Sequence, residues 1–152
     1  MLVFVPLSPP DLDAWASSGR RDVSGFAATP VFLETFGLPS HDIEDADLTL
    51  LEVAGVAGLL AHGVRLVAVC QTEASGSEPA EFGAVVAEGV RWGAVESLFA
   101  DDADGAARAA AVGAVLAGAG LEEAWEADAV SDLLRGTELL WHSSTEWEPL
   151  SH

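Results

Sequence analysis

The stretch that most constrains the fold is residues 43–71, where a long apolar helix pattern is followed at once by a strand pattern. Four apolar residues recur three or four positions apart and so share one side of a helix predicted over residues 43–63. They are Leu50, Val53, Ala57 and Leu60. Residues 64–71 are apolar on both faces apart from Arg65, which is typical of a central strand covered by helices. Every other segment must find a place against this helix and strand.

The remaining apolar runs predict the rest of the sheet. Strands are predicted at residues 2–6, 82–88, 94–100 and 138–142, and helices at residues 9–17, 30–36 and 104–118. Residues 121–132 fit either a strand or a helical turn, and residues 19–22 are predicted to be a polar turn. The Ser-, Gly- and Glu-rich residues 71–80 are predicted to form a flexible loop.

This order of elements predicts one globular domain over residues 1–152. The fold class is α/β or α+β, a sandwich in which helices cover a mixed sheet of about four or five strands. Helices lie between the first strand and the strand at residues 64–71. The sequence therefore permits a crossover connection and parallel pairing of these two strands.

The charge excludes several classes of partner. The chain has a net charge of −19, from 25 acidic residues against six arginines and no lysine. It would repel the phosphates of nucleic acids and anionic membranes, so neither is an expected partner. Metal cations and basic protein partners remain compatible with it. A GC-rich genome and a salt-adapted surface both explain this composition, and the sequence does not separate them.

No apolar run is long enough to span a bilayer, and the N-terminus lacks the basic region of a signal peptide. The expected location is the cytoplasm. Cys70 is the only cysteine, so an internal disulfide and an all-cysteine metal site are excluded. Its place in the central strand predicts a small buried hydrophobe rather than a catalytic thiol.

The acidic group Asp101, Asp102 and Asp104 directly follows a predicted strand. Carboxylates at the end of a strand are well placed to hold a cation or a substrate. The spacing does not fit a calcium-binding EF-hand loop, because alanines stand at its first and twelfth ligand positions. The favoured alternative is that these aspartates cap the alanine-rich helix that follows.

His142 and Glu146 are the second candidate pair for a metal. Four residues apart, they would share a face of a helix and could hold one ion through imidazole and carboxylate. A third ligand could come from Asp101, Asp102 or His41. A divalent metal is therefore a possible cofactor. No phosphate-binding loop, nucleophile elbow, dinucleotide loop or Cys-x-x-Cys motif predicts any other.

Two of the five tryptophans, Trp141 and Trp147, lie near the C-terminus among acidic residues. Core packing is the favoured role for the tryptophans. Because tryptophan is enriched at the energetic centres of interfaces, these two are also candidates for an interface with a protein partner or a second copy of the chain.

The chain resembles a family of small uncharacterised actinobacterial proteins that carry a domain of unknown function. The resemblance rests on short motifs in a fixed order over nearly the whole length. They are Leu2-Val3-Phe4-Val5-Pro6, Ala28-Thr29-Pro30 with Leu33-Glu34, Asp101-Asp102-Ala103-Asp104, and Glu138-Leu139-Leu140-Trp141 with Glu146. It implies a cytoplasmic protein from a GC-rich bacterium and transfers no activity and no catalytic residue.

The sequence thus favours a small acidic cytoplasmic protein that acts without catalysis, through contact with a partner or through self-association. No complete catalytic constellation is present in it. The alternative is a metal-dependent, hydrolase-like enzyme that uses the acidic cluster at the strand end together with His142 and Glu146. A small-molecule binding module is a third possibility, for which the sequence defines no pocket.

Overall fold

The computed structural model describes residues 1–152. Six α-helices and seven strands alternate irregularly along the chain. The strands are β1 (Leu2–Pro6), β2 (Arg20–Phe26), β3 (Leu66–Gln71), β4 (Ser75–Gly76), β5 (Ala84–Arg91), β6 (Val95–Ala100) and β7 (Leu140–Ser143). The helices are α1 (Pro9–Ser18), α2 (Pro30–Phe36), α3 (Ile43–His62), α4 (Ala103–Val115), α5 (Leu121–Trp125) and α6 (Asp128–Gly136). Short 3-10 turns occupy Ala80–Phe82, Trp92–Ala94, Ser144–Glu146 and Glu148–Ser151.

All seven strands belong to one sheet in the order β4-β5-β2-β1-β3-β6-β7, and every neighbouring pair is antiparallel. The mixed α and β class is confirmed, but the prediction of a mixed sheet of four or five strands is wrong. The parallel pairing of β1 with β3 is also wrong, because Leu2 lies opposite Gln71 and Pro6 opposite Val67. Strand β2 explains this difference. It runs antiparallel to β1. Helix α3 then returns the chain along the sheet, so that β3 runs in the same direction as β2 and antiparallel to β1.

The first three residues of β2, Arg20-Arg21-Asp22, were predicted to lie in a polar turn, and this prediction is wrong. The exposed positions of β2 belong to the outer half of the sheet, where the helices leave part of one face open to solvent. There Ser24 lies opposite Val86, and both are exposed. The predicted loop at residues 71–80 contains the two-residue strand β4, which pairs with β5. The flexibility of this loop stays a prediction.

The helix and strand predicted within residues 43–71 are confirmed. Helix α3 ends at Gly63, whose φ of 74° is the left-handed conformation expected of a glycine C-cap. In β3 the residues from Leu66 to Cys70 are buried on both faces of the sheet. The apolar stripe of α3 covers one of those faces and includes Leu50 and Val53, which are almost fully buried.

The helices are divided between the two faces of the sheet. On the first face, α1 packs with Leu12 and Trp15, beside Trp147 and Leu150 from the C-terminal turns. On the second face lie α2, α3 and α5. Helices α4 and α6 pack on α3 through two smaller apolar clusters. Residues 121–132, which fit either a strand or a helical turn in the sequence, thus contain α5 and the first part of α6, and the buried side chains of these helices contact α3. None of the helices combines the length and apolar character that a bilayer crossing needs.

Candidate functional site

Asp101 of the predicted acidic cluster forms a buried ion pair. Its Oδ2 accepts a hydrogen bond from Nε of Arg65 at 2.9 Å, and its Oδ1 accepts a second from Nη2. The side chains of Arg65 and Asp101 are only 2 % and 4 % exposed. The Nη2 atom also donates to Oγ1 of Thr137 at 2.8 Å. Both oxygens of Asp101 are therefore engaged by the one arginine that the sequence places in the central strand.

Asp102 and Asp104 have other positions. The side chain of Asp102 is the N-cap of α4 and accepts a hydrogen bond from the backbone N–H of Gly105 at 2.7 Å. Asp104 lies exposed in the first turn of the same helix, where a carboxylate interacts favourably with the helix dipole. The capping role expected as the alternative to a metal site is confirmed for Asp102.

His142 and Glu146 do not share a helix. His142 lies in β7 opposite Leu98 of β6, whereas Glu146 closes a capping box in the following 3-10 turn. Its Oε1 accepts a hydrogen bond from the backbone N–H of Ser143 at 3.1 Å. No three side chains of histidine, cysteine, aspartate or glutamate come together in a group that could hold a metal ion. The metal site stays a prediction from the sequence pattern.

The two C-terminal tryptophans differ in environment. Trp147 is partly buried against the first face of the sheet, as expected for a core residue. Trp141 lies in β7 and is 61 % exposed, and its neighbour Leu140 is 46 % exposed. Trp141 lies opposite the partly buried Phe99 of β6, so these two rings are on the same face of the sheet.

Strand β7 is the last strand at one end of the sheet and pairs only with β6. Alternate residues of an antiparallel strand direct their N–H and C=O groups away from the partner strand, so half of the four residues of β7 present theirs outward. Exposed Glu138, Glu146 and Glu148 flank this strand, and no arginine follows Arg135. The edge thus combines outward backbone groups, an exposed indole and negative charge.

The structure also shows a cavity that sequence reasoning missed. It lies between α3 and the end of α6, with a volume of about 280 Å³. Its lining residues are Leu48, Leu51, Glu52, Gly55, Arg65, Leu134, Thr137, Glu138 and Leu139. Burial raises the pKa of the Glu52 carboxyl above its usual range. The signal was present in the sequence, because Glu52 is the only acidic residue between Asp47 and Glu73.

Cys70 has the inert environment expected of a structural cysteine. Its side chain is fully buried in β3, and its Sγ lies 3.7 Å from the carbonyl oxygen of Val3. Burial raises the pKa of the thiol to about 11, so very little thiolate exists at neutral pH.

Comparison with known proteins gives a family and no activity. The model of a family of unknown function, DUF6912, matches residues 1–150. No curated protein and no solved structure shows a significant match to the chain. The similarity to a domain of unknown function is thereby confirmed. Any assignment of function must come from the chain's own residues.

Proposed function

Because the chain belongs to DUF6912, a family of unknown function, we propose a role from its own geometry. The proposal is a non-catalytic protein-interaction domain whose β7 edge receives an extended, basic segment of a partner protein. That segment adds a strand beside β7, and its apolar side chains on one face of the sheet contact Trp141. The proposed setting is the cytoplasm, as expected from the sequence.

The observation that carries this proposal is Trp141, which is 61 % exposed on a strand with one unpaired side. Strand addition uses such an edge, since backbone hydrogen bonds supply affinity and alternate side chains supply specificity. Tryptophan contributes a large apolar surface at low entropic cost and is enriched among the residues that dominate binding energy. The opposite edge, β4, has only two residues and offers a much shorter template.

Charge favours a basic partner over a second copy of this chain. Three exposed glutamates flank β7, and the chain carries a net charge of −19. Two copies joined at β7 would bring these glutamates together, which costs electrostatic energy. A segment with lysines or arginines would instead be attracted, with a faster association that weakens as salt is added. The sign of the salt dependence therefore separates the two occupants.

The test uses a short fluorescein-labelled peptide of alternating valine and lysine, titrated with the full chain and followed by fluorescence anisotropy. We expect binding that weakens as salt rises, and an affinity about tenfold lower for Trp141→Ala because an interface anchor is lost. Val115→Ala is the matched control, since Val115 is 77 % exposed at the end of α4 and lies outside the proposed contact.

Two further peptides test the binding mode. Methylation of alternate backbone nitrogens removes donors that strand pairing needs, and glutamate in place of lysine reverses the charge. Both peptides should bind much more weakly than the basic one. Equal binding of the basic peptide to wild type and Trp141→Ala would refute the proposal. Sedimentation showing a dimer that strengthens with salt and is lost in Trp141→Ala would assign the edge to a second copy instead.

A further inference from the structure

Four of the nine residues that line the cavity between α3 and α6 are leucines. Leu48 and Leu51 line it from α3, and Leu134 and Leu139 line it from α6 and the segment that follows. Gly55 also lines it, and a Cβ at this position would make ordinary van der Waals contacts, 3.5 Å from both Leu139 and the side chain of Arg65. At about 280 Å³, the cavity is close to the lower end of the range for small-molecule pockets.

One partly buried polar group in this cavity has no partner within the chain. Glu52 is partly buried, takes part in none of the ion pairs, and accepts no hydrogen bond. Burial of this carboxyl among leucines raises its pKa. A second carboxylate, Glu138, is exposed where the cavity meets solvent. A partly desolvated carboxylate of this kind gains more from a bound cation than one that is fully hydrated or already paired.

The other polar groups of the cavity are already satisfied. Arg65 is held by both oxygens of Asp101, so its charge is balanced. The hydroxyl of Thr137 accepts from Arg65 and donates to the carbonyl oxygen of Leu133 at 2.7 Å. The free charge facing the cavity is therefore negative, and its location against the leucines selects for a cation with an apolar body rather than a hydrated metal ion.

We propose that this cavity binds a small organic amine, with its ammonium group on Glu52 and its apolar body against the leucines of α3 and α6. This site is separate from the strand-docking edge, and neither proposal depends on the other. The amine fits because it matches both features at once: one positive charge for an unpaired carboxylate and an apolar surface for the walls.

The experiment is calorimetric titration of the full chain with cyclohexylmethylamine, phenethylamine and n-hexylamine, in about 0.5 M NaCl to screen non-specific binding to surface carboxylates. Each amine is compared with the alcohol of the same carbon skeleton. We expect the best amine to bind about 10- to 100-fold more tightly than its alcohol, which is the range of a charge-assisted hydrogen bond. Glu52→Gln should abolish this preference.

Three variants separate the cavity from the surface. Glu34→Gln changes an exposed carboxylate of α2 and should leave amine binding unchanged. Leu134→Trp should fill the cavity and block the amine. Trp141→Ala, which impairs the docking edge, should bind the amine as wild type does. The proposal is overturned if no amine binds more tightly than its alcohol, or if the preference survives Glu52→Gln or Leu134→Trp.

Discussion

Adjacent carboxylates in this chain have different structural roles, set by the direction in which each side chain leaves the backbone. Asp101 faces inward onto Arg65, whereas Asp102 turns back to cap α4. Glu52 differs from both because it is partly buried without a partner. Burial without a partner makes the charged form of this carboxyl less favourable than it is in the unfolded chain, which is why its pKa is raised.

Glu52→Gln should therefore stabilise the protein at neutral pH. The raised pKa means that the folded state binds more protons than the unfolded state between about pH 4.5 and the folded pKa, so stability falls as pH rises through that window. We expect the variant to raise the Tm by about 1–3 °C at pH 7, a small effect because the carboxyl is partly solvated. The difference from wild type should vanish below about pH 4.

Thermal melts of both proteins from acidic to neutral pH measure this effect. Glu34→Gln is the control and should give no pH-dependent difference, since Glu34 is exposed on α2. A gain in Tm for Glu52→Gln of equal size at every pH would show that the carboxyl's charge is not its cause.

At the scale of elements, the Arg65 network joins three segments that are far apart in the chain. Arg65 directly precedes β3, Asp101 directly follows β6, and Thr137 follows α6. The network thus fixes the end of α6 against the ends of two neighbouring strands. Because α6 also lines the cavity and leads into β7, this junction positions both proposed sites.

Asp101→Ala should destabilise the protein by about 3–5 kcal/mol, because it leaves the buried guanidinium of Arg65 without its counter-charge. The double variant Arg65→Met/Asp101→Leu should cost less, since it removes both charges and fills their volume. Urea unfolding at pH 7 measures each change. The exposed pair of Arg135 and Asp132 is the control, and Asp132→Ala should change stability by less than about 1 kcal/mol. Equal costs for Asp101→Ala and Asp132→Ala would show that the buried pair contributes no more to stability than an exposed one.

The elements differ in how well the sequence predicts them, and the reason is physical. Helix α1 was predictable because Ser8 and Asp11 form a capping box and Pro9 starts the helix, all within local reach. Strand β2 was not, because its polar start resembles a turn and only pairing with β1 and β5 makes it a strand. Its omission then led to the wrong direction for β3.

At the scale of the whole molecule, local patterns do not show which distant groups meet. The sequence marks Arg65 as a lone charge in an apolar strand and Asp101 as part of an acidic cluster, but 36 residues separate them. The sequence suggested Trp141 as an interface residue, yet only the order of strands places it at an edge. The cavity around Glu52 required the packing of α6 on α3, which no local pattern specifies.

The net charge of −19 acts on the molecule as a whole. Self-repulsion at this charge opposes the compact state, and salt screens it. Raising NaCl from about 0.01 M to 1 M at pH 7 should therefore raise the Tm by several degrees. The same series near the isoelectric point, about pH 4.1, is the control, because little net charge remains there to screen. A Tm that does not change with salt at pH 7 would show that self-repulsion costs the folded state little, whereas a rise of equal size at both pH values would reflect a general salt effect on burial rather than repulsion.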